Sequence, residues 1–279
     1  MRGKARTTLL AHSAGLVDGN AAGESWNHIY QTSVVKHPDY NIGDRVCLPD
    51  GRVFRYARVM AGQTVVNTMG VKAYDEEIIK YASIAASAAV GANAIVVTVA
   101  ATDGSLGAAA IAEDELRGGH VVIKDGASDT VRQHRGIVGN TAMTAVLEAQ
   151  GSPHDRITLY LDGGLDTAIT TTNAVQVLGN IYRNTRWWNE GWTSILGVPM
   201  RAATALQYYW MQTWGPICIK CTGAGIGGPN GGEERQAVFG ANGGVHEHDS
   251  TAQQHAGFVI QRDAANADGP PFIMLQINP

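Results

Sequence analysis

The stretch Gly223-Ala224-Gly225-Ile226-Gly227-Gly228 has the glycine spacing of a dinucleotide-binding loop and follows a strand-like run. That chemistry needs a helix N-terminus directly after the glycines, so that backbone N–H groups and the helix dipole meet the pyrophosphate. Pro229-Asn230-Gly231-Gly232 follows instead, which predicts a glycine-rich loop between strands. Cys218-Ile219-Lys220-Cys221 has the spacing of redox and zinc sites, but residues three apart on a strand point to opposite faces. The two thiols should diverge, and no second pair of ligands stands at finger spacing, so buried unpaired cysteines are expected. His246-Glu247-His248 puts two imidazoles on one strand face, with Asp249 and His255 nearby. A metal centre needs further assigned ligands, and none is expected here. Asn266-Ala267-Asp268-Gly269 matches part of a calcium loop, but Ala264 stands at its first ligand position and Leu275 where the bidentate glutamate belongs.

Asp162 and Asp166 are a conceivable acid and base for glycan hydrolysis, with Glu190 as a further carboxylate, but Gly163-Gly164 between the aspartates reads first as a turn. G-x-S-x-G, H-E-x-x-H and the P-loop are all absent from the chain. No catalytic residue and no cofactor is therefore assigned. Arg183, Arg186, Trp187, Trp188 and Trp192 gather three of the six tryptophans in ten positions. Such residues are favoured where a rigid ring is buried beside a guanidinium in a binding hot spot, so this cluster is the candidate partner interface. Two other readings stay open: a loop folding its aromatics onto its own body, and a stacking platform for glycan or nucleic acid.

These groups sit in a chain of 279 residues with 21 Lys plus Arg against 25 Asp plus Glu, a formal net charge of −4. Hydrophobic residues make up 44% and can close a real core, while the lack of a basic excess speaks against nucleic acid as a partner. Three cysteines cannot pair into a full disulfide framework, which fits assembly in cytoplasm. The basic start Met1-Arg2-Gly3-Lys4 leads into Leu9-Leu10-Ala11, but His12-Ser13 interrupts the apolar run, and no secretion signal is read. Tyr81 to Thr102 carries no charge and is about as long as a membrane span. Ser83, Ser87, Gly91, Asn93 and Thr98 break it, and most of the rest is alanine, so a buried helix followed by a strand is expected and no membrane partner.

Residues 1–40 lack sustained periodicity and read as an extended N-terminal arm, ahead of a β-rich body over 41–279 with room for a projecting insertion around 165–195. Arg45-Val46-Cys47-Leu48 and Val53 to Val59 flank Pro49-Asp50-Gly51-Arg52, which predicts a hairpin. Alternation places Arg58 on one face and Arg55 on the other, and a solvated sheet is the commoner cause of arginine on both sides. Asp75-Glu76-Glu77 followed by Ile78, Tyr81, Ala82, Ala85 and Ala89 predicts a helix with an acidic first turn. Strands are expected at 94–99, 120–123, 156–161, within 168–183, and at 208–214 running into 217–219. The fold class is mainly β: an antiparallel sandwich or barrel-like body, the arm, and one or two short helices.

Two stretches belong together: Ile42-Gly43-Asp44-Arg45-Val46 through Asp50-Gly51-Arg52-Val53-Phe54-Arg55-Tyr56-Ala57, and Gly197-Val198-Pro199 through Tyr209-Trp210-Met211-Gln212-Thr213-Trp214-Gly215-Pro216. They resemble a loose group of tailed-bacteriophage virion proteins encoded with the capsid genes, in which an early hairpin is paired with a later "Y-x-W-x-Q-x-x-G-P" strand. The C-terminal run Phe272 to Pro279 is also similar. The resemblance covers a fifth to a quarter of the chain and brings no active site. It implies a β-rich capsid decoration, or cement, protein on the virion surface. Such a protein is assembled in the host cytoplasm as a homo-oligomer, dimer or trimer, with the major capsid protein as its partner. The alanine-rich region from Tyr81 to Ala112 and the insertion from Trp187 to Trp192 depart from the group. A head-fibre, tail or baseplate component, or a glycan-binding or glycan-hydrolysing phage protein, are the alternatives.

Overall fold

The computed structural model describes residues 26–74, 77–100, 103–104, 110–126, 130–143, 156–187, 194–222, 226, 235–248, 253–261 and 270–279, without the side chains of Glu77 and Tyr81. A five-residue 3-10 turn, Trp26–Tyr30, precedes sixteen strands among these residues. The first three are β1 (Arg45–Cys47), β2 (Val53–Arg58) and β3 (Val71–Ala73). Then come β4 (Glu77–Ala86), β5 (Ala94–Thr98), β6 (His120–Lys124), β7 (Val131–Asn140), β8 (Arg156–Leu161) and β9 (Ala174–Leu178). The last seven are β10 (Thr185–Arg186), β11 (Ile195–Pro199), β12 (Tyr208–Cys218), β13 (Gln236–Phe239), β14 (Val245–Glu247), β15 (Gln254–Gln261) and β16 (Phe272–Gln276). The fold is mainly β and antiparallel, as expected, and divides into two compact units: Met1–Tyr74 with Tyr182–Pro279, and Asp75–Ile181 between them in sequence.

The first unit is one ten-stranded sheet ordered β10-β3-β11-β12-β16-β15-β13-β14, with β2 on the other side of β12 and β1 beyond β2. Its spine is β12, which pairs Trp210 with Tyr56 of β2, Gln212 with Val198 of β11, and Pro216 with Met274 of β16. The alternation of β12 sends Tyr209 and Met211 into one core with Ala57, Val59, Val71 and Leu196. Farther along, Ile217 and Ile219 join Phe239, Val245, Ile273 and Leu275. The opposite face carries Trp210, which packs with Phe54, Tyr56 and Ile29.

The predicted hairpin is present, with Arg45 opposite Arg55 and Cys47 opposite Val53. It is not a solvated sheet: Phe54 and Ala57, on opposite faces, are both fully buried, because the chain covers both sides itself. Arg55 reaches the backbone oxygen of Gly43 and Asn278 Oδ1, each at 3.2 Å, and Arg58 stands over the Tyr208 ring. Residues 26–40 supply one of the covers. Ile29 is buried, Ser33 and Tyr208 exchange two backbone hydrogen bonds of 3.0 and 2.7 Å, and Tyr40 meets Trp210 edge-on at 5.0 Å. This part of the expected arm therefore docks on its own chain; residues 1–25 lie outside the described residues.

Pro216 is tolerated within β12 because β2 has already left that edge, where a missing N–H costs no ladder bond. The buried amide of Gln212 donates to the carbonyls of Trp214 and Pro216, at 3.1 and 3.0 Å, which the departure of β2 would otherwise leave open.

The second unit is a closed six-stranded barrel in the order β4-β5-β8-β7-β6-β9. Its inward positions are aliphatic, among them Ile79, Ile84, Ile95, Val97, Val121, Ile123, Ile157, Leu159, Val175 and Val177. The helix expected over Asp75–Ala89 is corrected here: Glu77–Ala86 is β4, paired with β5 and β9. Alanine favours a helix weakly, by fractions of a kcal/mol per residue, and closure of a barrel with two ladders outweighs that preference. Along its second half, buried Ala82 and Ile84 alternate with exposed Ser83 and half-buried Ala85, the period of a strand. Among the described residues no helix is long and apolar enough to cross a membrane.

Candidate functional site

The predicted cluster is positioned by β10, a two-residue strand held against β3 with Arg186 opposite Lys72. Fully buried Thr185 locks it: its hydroxyl donates to Arg58 O at 2.9 Å and lies 2.7 Å from the Tyr209 hydroxyl. Arg186 then stands over the ring of Tyr74, its guanidinium carbon 4.6 Å from the centroid, a cation–π distance. Trp187 is clasped between two turns. Its backbone N–H donates to Thr64 O at 3.2 Å and its indole N–H to Asn242 O at 2.7 Å, while 36% of the residue stays exposed. Arg183 is half-buried in the turn before β10. Arg186 and Trp187 are thus brought together with Tyr74, which sequence reading did not include, and Trp188, Trp192 and Glu190 lie outside the described residues. The cluster therefore presents a stacked guanidinium and, next to it in sequence, a part-exposed indole whose N–H is already bonded.

The turn beneath Trp187 is built on glycine. Gly243 has φ of 82° and its N–H donates back to Gly240 O at 2.9 Å. The same turn accepts from two groups of the β3 segment: Gly70 N–H donates to Gly243 O at 2.6 Å and the buried Lys72 ammonium to Ala241 O at 2.9 Å.

A second surface escaped sequence reading. Pro216 of β12, Met274 of β16 and Phe258 of β15 stand in one register row, with Phe258 46% and neighbouring Ile260 49% exposed. Exposed Phe258 and Ile260 stand two apart with half-buried Val259 between them, but simple alternation does not reach back along β15, because the register shift opposite Ala237–Val238 leaves Ala256 and Gly257 both buried.

The remaining candidates have the following contacts where they are described. Asp162 accepts the Gly136 N–H at 3.0 Å, and Asp166 pairs with Arg135 at 2.6 Å, so each carboxylate already fastens a turn of the barrel. Cys218 is exposed at the end of β12, Cys221 is half-buried against Val245, and both are free thiols. Burial pushes the Cys221 thiol up, against a smaller opposing effect of its hydrogen bond with the Ile226 backbone. His246 Nε2 lies 3.4 Å from Gln253 Nε2, and His255 Nδ1 lies 3.1 Å from Gln236 Nε2. Among the described residues no group of three or more His, Cys, Asp and Glu side chains is disposed to hold a metal ion. Of the loop 223–228 only Ile226 is described, buried in the core, and 266–269 lies outside the described residues. Compared with protein families, with curated proteins and with solved structures, the chain matches none.

Proposed function

We propose that this chain is a non-enzymatic structural protein of a tailed-phage virion, which binds the assembled capsid shell as a decoration, or cement, protein. The observation that supports the reading is the spatial union of the three stretches that carry the resemblance. The hairpin β1–β2, the strand β12 and the C-terminal strand β16 lie far apart in sequence yet adjoin as one piece of sheet, in the order β1-β2-β12-β16. Two surfaces of that unit have the make-up of a protein contact: the Arg186–Tyr74 stack with Trp187, and the row of Pro216, Met274 and Phe258. The mechanism is linkage. A protein that binds assembled subunits in preference to dispersed ones shifts assembly by mass action, and many modest contacts suffice when copies are linked in an oligomer.

Quantitative mass spectrometry of purified particles tests this by giving copies of the chain per major capsid subunit. A ratio near one supports cement across the shell. A handful of copies would replace it with a vertex, tail or baseplate role, and none would overturn a virion role.

A further inference from the structure

We propose that His120 and His134, on the outer wall of the six-stranded barrel, form a surface site for a divalent transition-metal ion of the kind imidazole prefers: copper, nickel or zinc. The inference is independent of the capsid reading. β6 and β7 pair antiparallel, with His120 opposite Gly136 and Val122 opposite His134, which makes the two histidines diagonal neighbours on one face. Val121, Ile123 and Gln133 fill the interior face, and both histidines are exposed. Their ring centroids are 5.0 Å apart, with the planes inclined at 42°.

That spacing suits a shared ion. A ligand nitrogen sits about 2.0–2.1 Å from the metal and about 1.1 Å from its own ring centre, so an ion lies about 3.2 Å from each centroid. Two centroids 5.0 Å apart then subtend about 100° at the ion, between the octahedral and tetrahedral angles these metals adopt. Direct stacking of the rings would use the same distance; a bound cation would in addition use a negative group beside them, beyond that group's bond to the backbone.

The charge is there. Gly136, opposite His120, has no side chain, and the Asp162 carboxylate takes the space: Oδ1 accepts the Gly136 N–H at 3.0 Å, and a Cβ on Gly136 would stand 2.5 Å from Oδ2. A negative group therefore lies on the face that carries the imidazoles. Of the arginines on β7, Arg132 pairs with Asp125 at 3.7 Å and Arg135 with Asp166 at 2.6 Å. Two imidazoles leave the other coordination positions to water, which favours borderline transition ions and disfavours magnesium and calcium, whose ligands are oxygens.

The test is calorimetric titration of the full chain with nickel chloride, paired with electron paramagnetic resonance of the copper(II)-loaded protein. The expected result is one strongest site per chain, with two coordinating nitrogens in the copper spectrum and no competition by magnesium. His120→Ala or His134→Ala should each lower its affinity by roughly a hundredfold, the effective-concentration advantage of a second ligand already in place. Asp162→Asn, which keeps an acceptor for Gly136, should weaken it several-fold. Both histidines are exposed, and unchanged circular dichroism will verify that their variants fold; the wild-type copper spectrum stands without any variant. The proposal is overturned if both alanine variants keep wild-type affinity, if the strongest site is lost with His246→Ala or His248→Ala instead, or if copper shows fewer than two nitrogens.

Discussion

Replacing Gly243 by alanine should do more than strain one residue, because the turn it closes holds Trp187 and Lys72 in place. A Cβ at its φ of 82° costs about 1–2 kcal/mol by itself. That Cβ would also meet the carbonyl oxygen of Gly70 well inside contact distance. The turn must back away by roughly 1 Å to restore ordinary separation. The movement breaks the Gly70-to-Gly243 backbone bond, worth about 1 kcal/mol, and the bond from the Lys72 ammonium to Ala241, worth about 1.5–3 kcal/mol. The sum is about 3.5–6 kcal/mol. Gly62 is the control: its φ is 71° and a Cβ there meets nothing within 4 Å, so Gly62→Ala should cost the backbone part alone. At about 2–4 °C per kcal/mol for a unit of this size, Gly243→Ala should melt at least ~5 °C below Gly62→Ala by scanning calorimetry. Hydrogen exchange at Trp187, whose N–H bonds Thr64 O while its indole bonds Asn242 O, should quicken only in the former. Equal melting shifts for the two variants would refute the steric reasoning.

Three further outcomes are expected. Tyr209 is fully buried, which raises its ionisation well above the ordinary tyrosine range, against a smaller opposing effect of its hydroxyl's hydrogen bond with Thr185. Its contribution is therefore fully present below about pH 10 and is lost as pH climbs past that value, where the unfolded chain releases the proton and the folded chain keeps it. Urea unfolding from pH 8 to 11 should show the decline, flattened in Tyr209→Phe; identical slopes would contradict it. Maleimide labelling near pH 8 should modify exposed Cys218 before Cys221, whose raised ionisation leaves less thiolate, and peptide mapping in the opposite order would count against that. Phe258→Asp should reduce co-sedimentation with capsid shells while leaving the melting temperature nearly unchanged, since the side chain is exposed; undiminished binding removes this row from the contact surface.

How much of this was legible follows from which interactions are local. The hairpin β1–β2 was readable because Asp50-Gly51 fixes the turn and the strands pair with each other. Its burial was not, since the cover comes from Trp26–Tyr40 on one face and from strands more than a hundred residues away on the other. The stretch after Asp75 read as a helix because alanine and an acidic start are local signals, whereas the ladders from β5 and β9 that make it a strand are not. The tryptophan cluster was found by composition, but Tyr74 joins it only through the pairing of β3 with β10. His120 and His134 are separated by a turn and thirteen intervening positions, so only the register of β6 against β7 could make them a pair.

That same β3–β10 pairing bears on how the chain came to hold two units. Ala73 stands opposite Thr185, and the Tyr74 N–H donates to Asn184 O at 2.9 Å, so the backbone leaves the first unit and returns to it on adjacent strands. A loop closed by a paired stem can be long at small entropic cost, because closure entropy grows only with the logarithm of length. The 75–181 segment also closes its own barrel around its own core, and among the described residues that barrel has no open sheet edge. Excising residues 75–181 and joining Tyr74 to Tyr182 through a short Gly/Ser linker should therefore leave the ten-stranded unit folded. Tyr182 must keep its place, since its carbonyl accepts the Arg58 N–H at 2.9 Å and its ring is buried in the core with Val59 and Tyr209. The expected result is a cooperative melt for the shortened chain and another for the isolated 75–181 segment. Loss of cooperative melting in both pieces would mean that each needs the other to fold, and the paired stem would then be the seam of one domain.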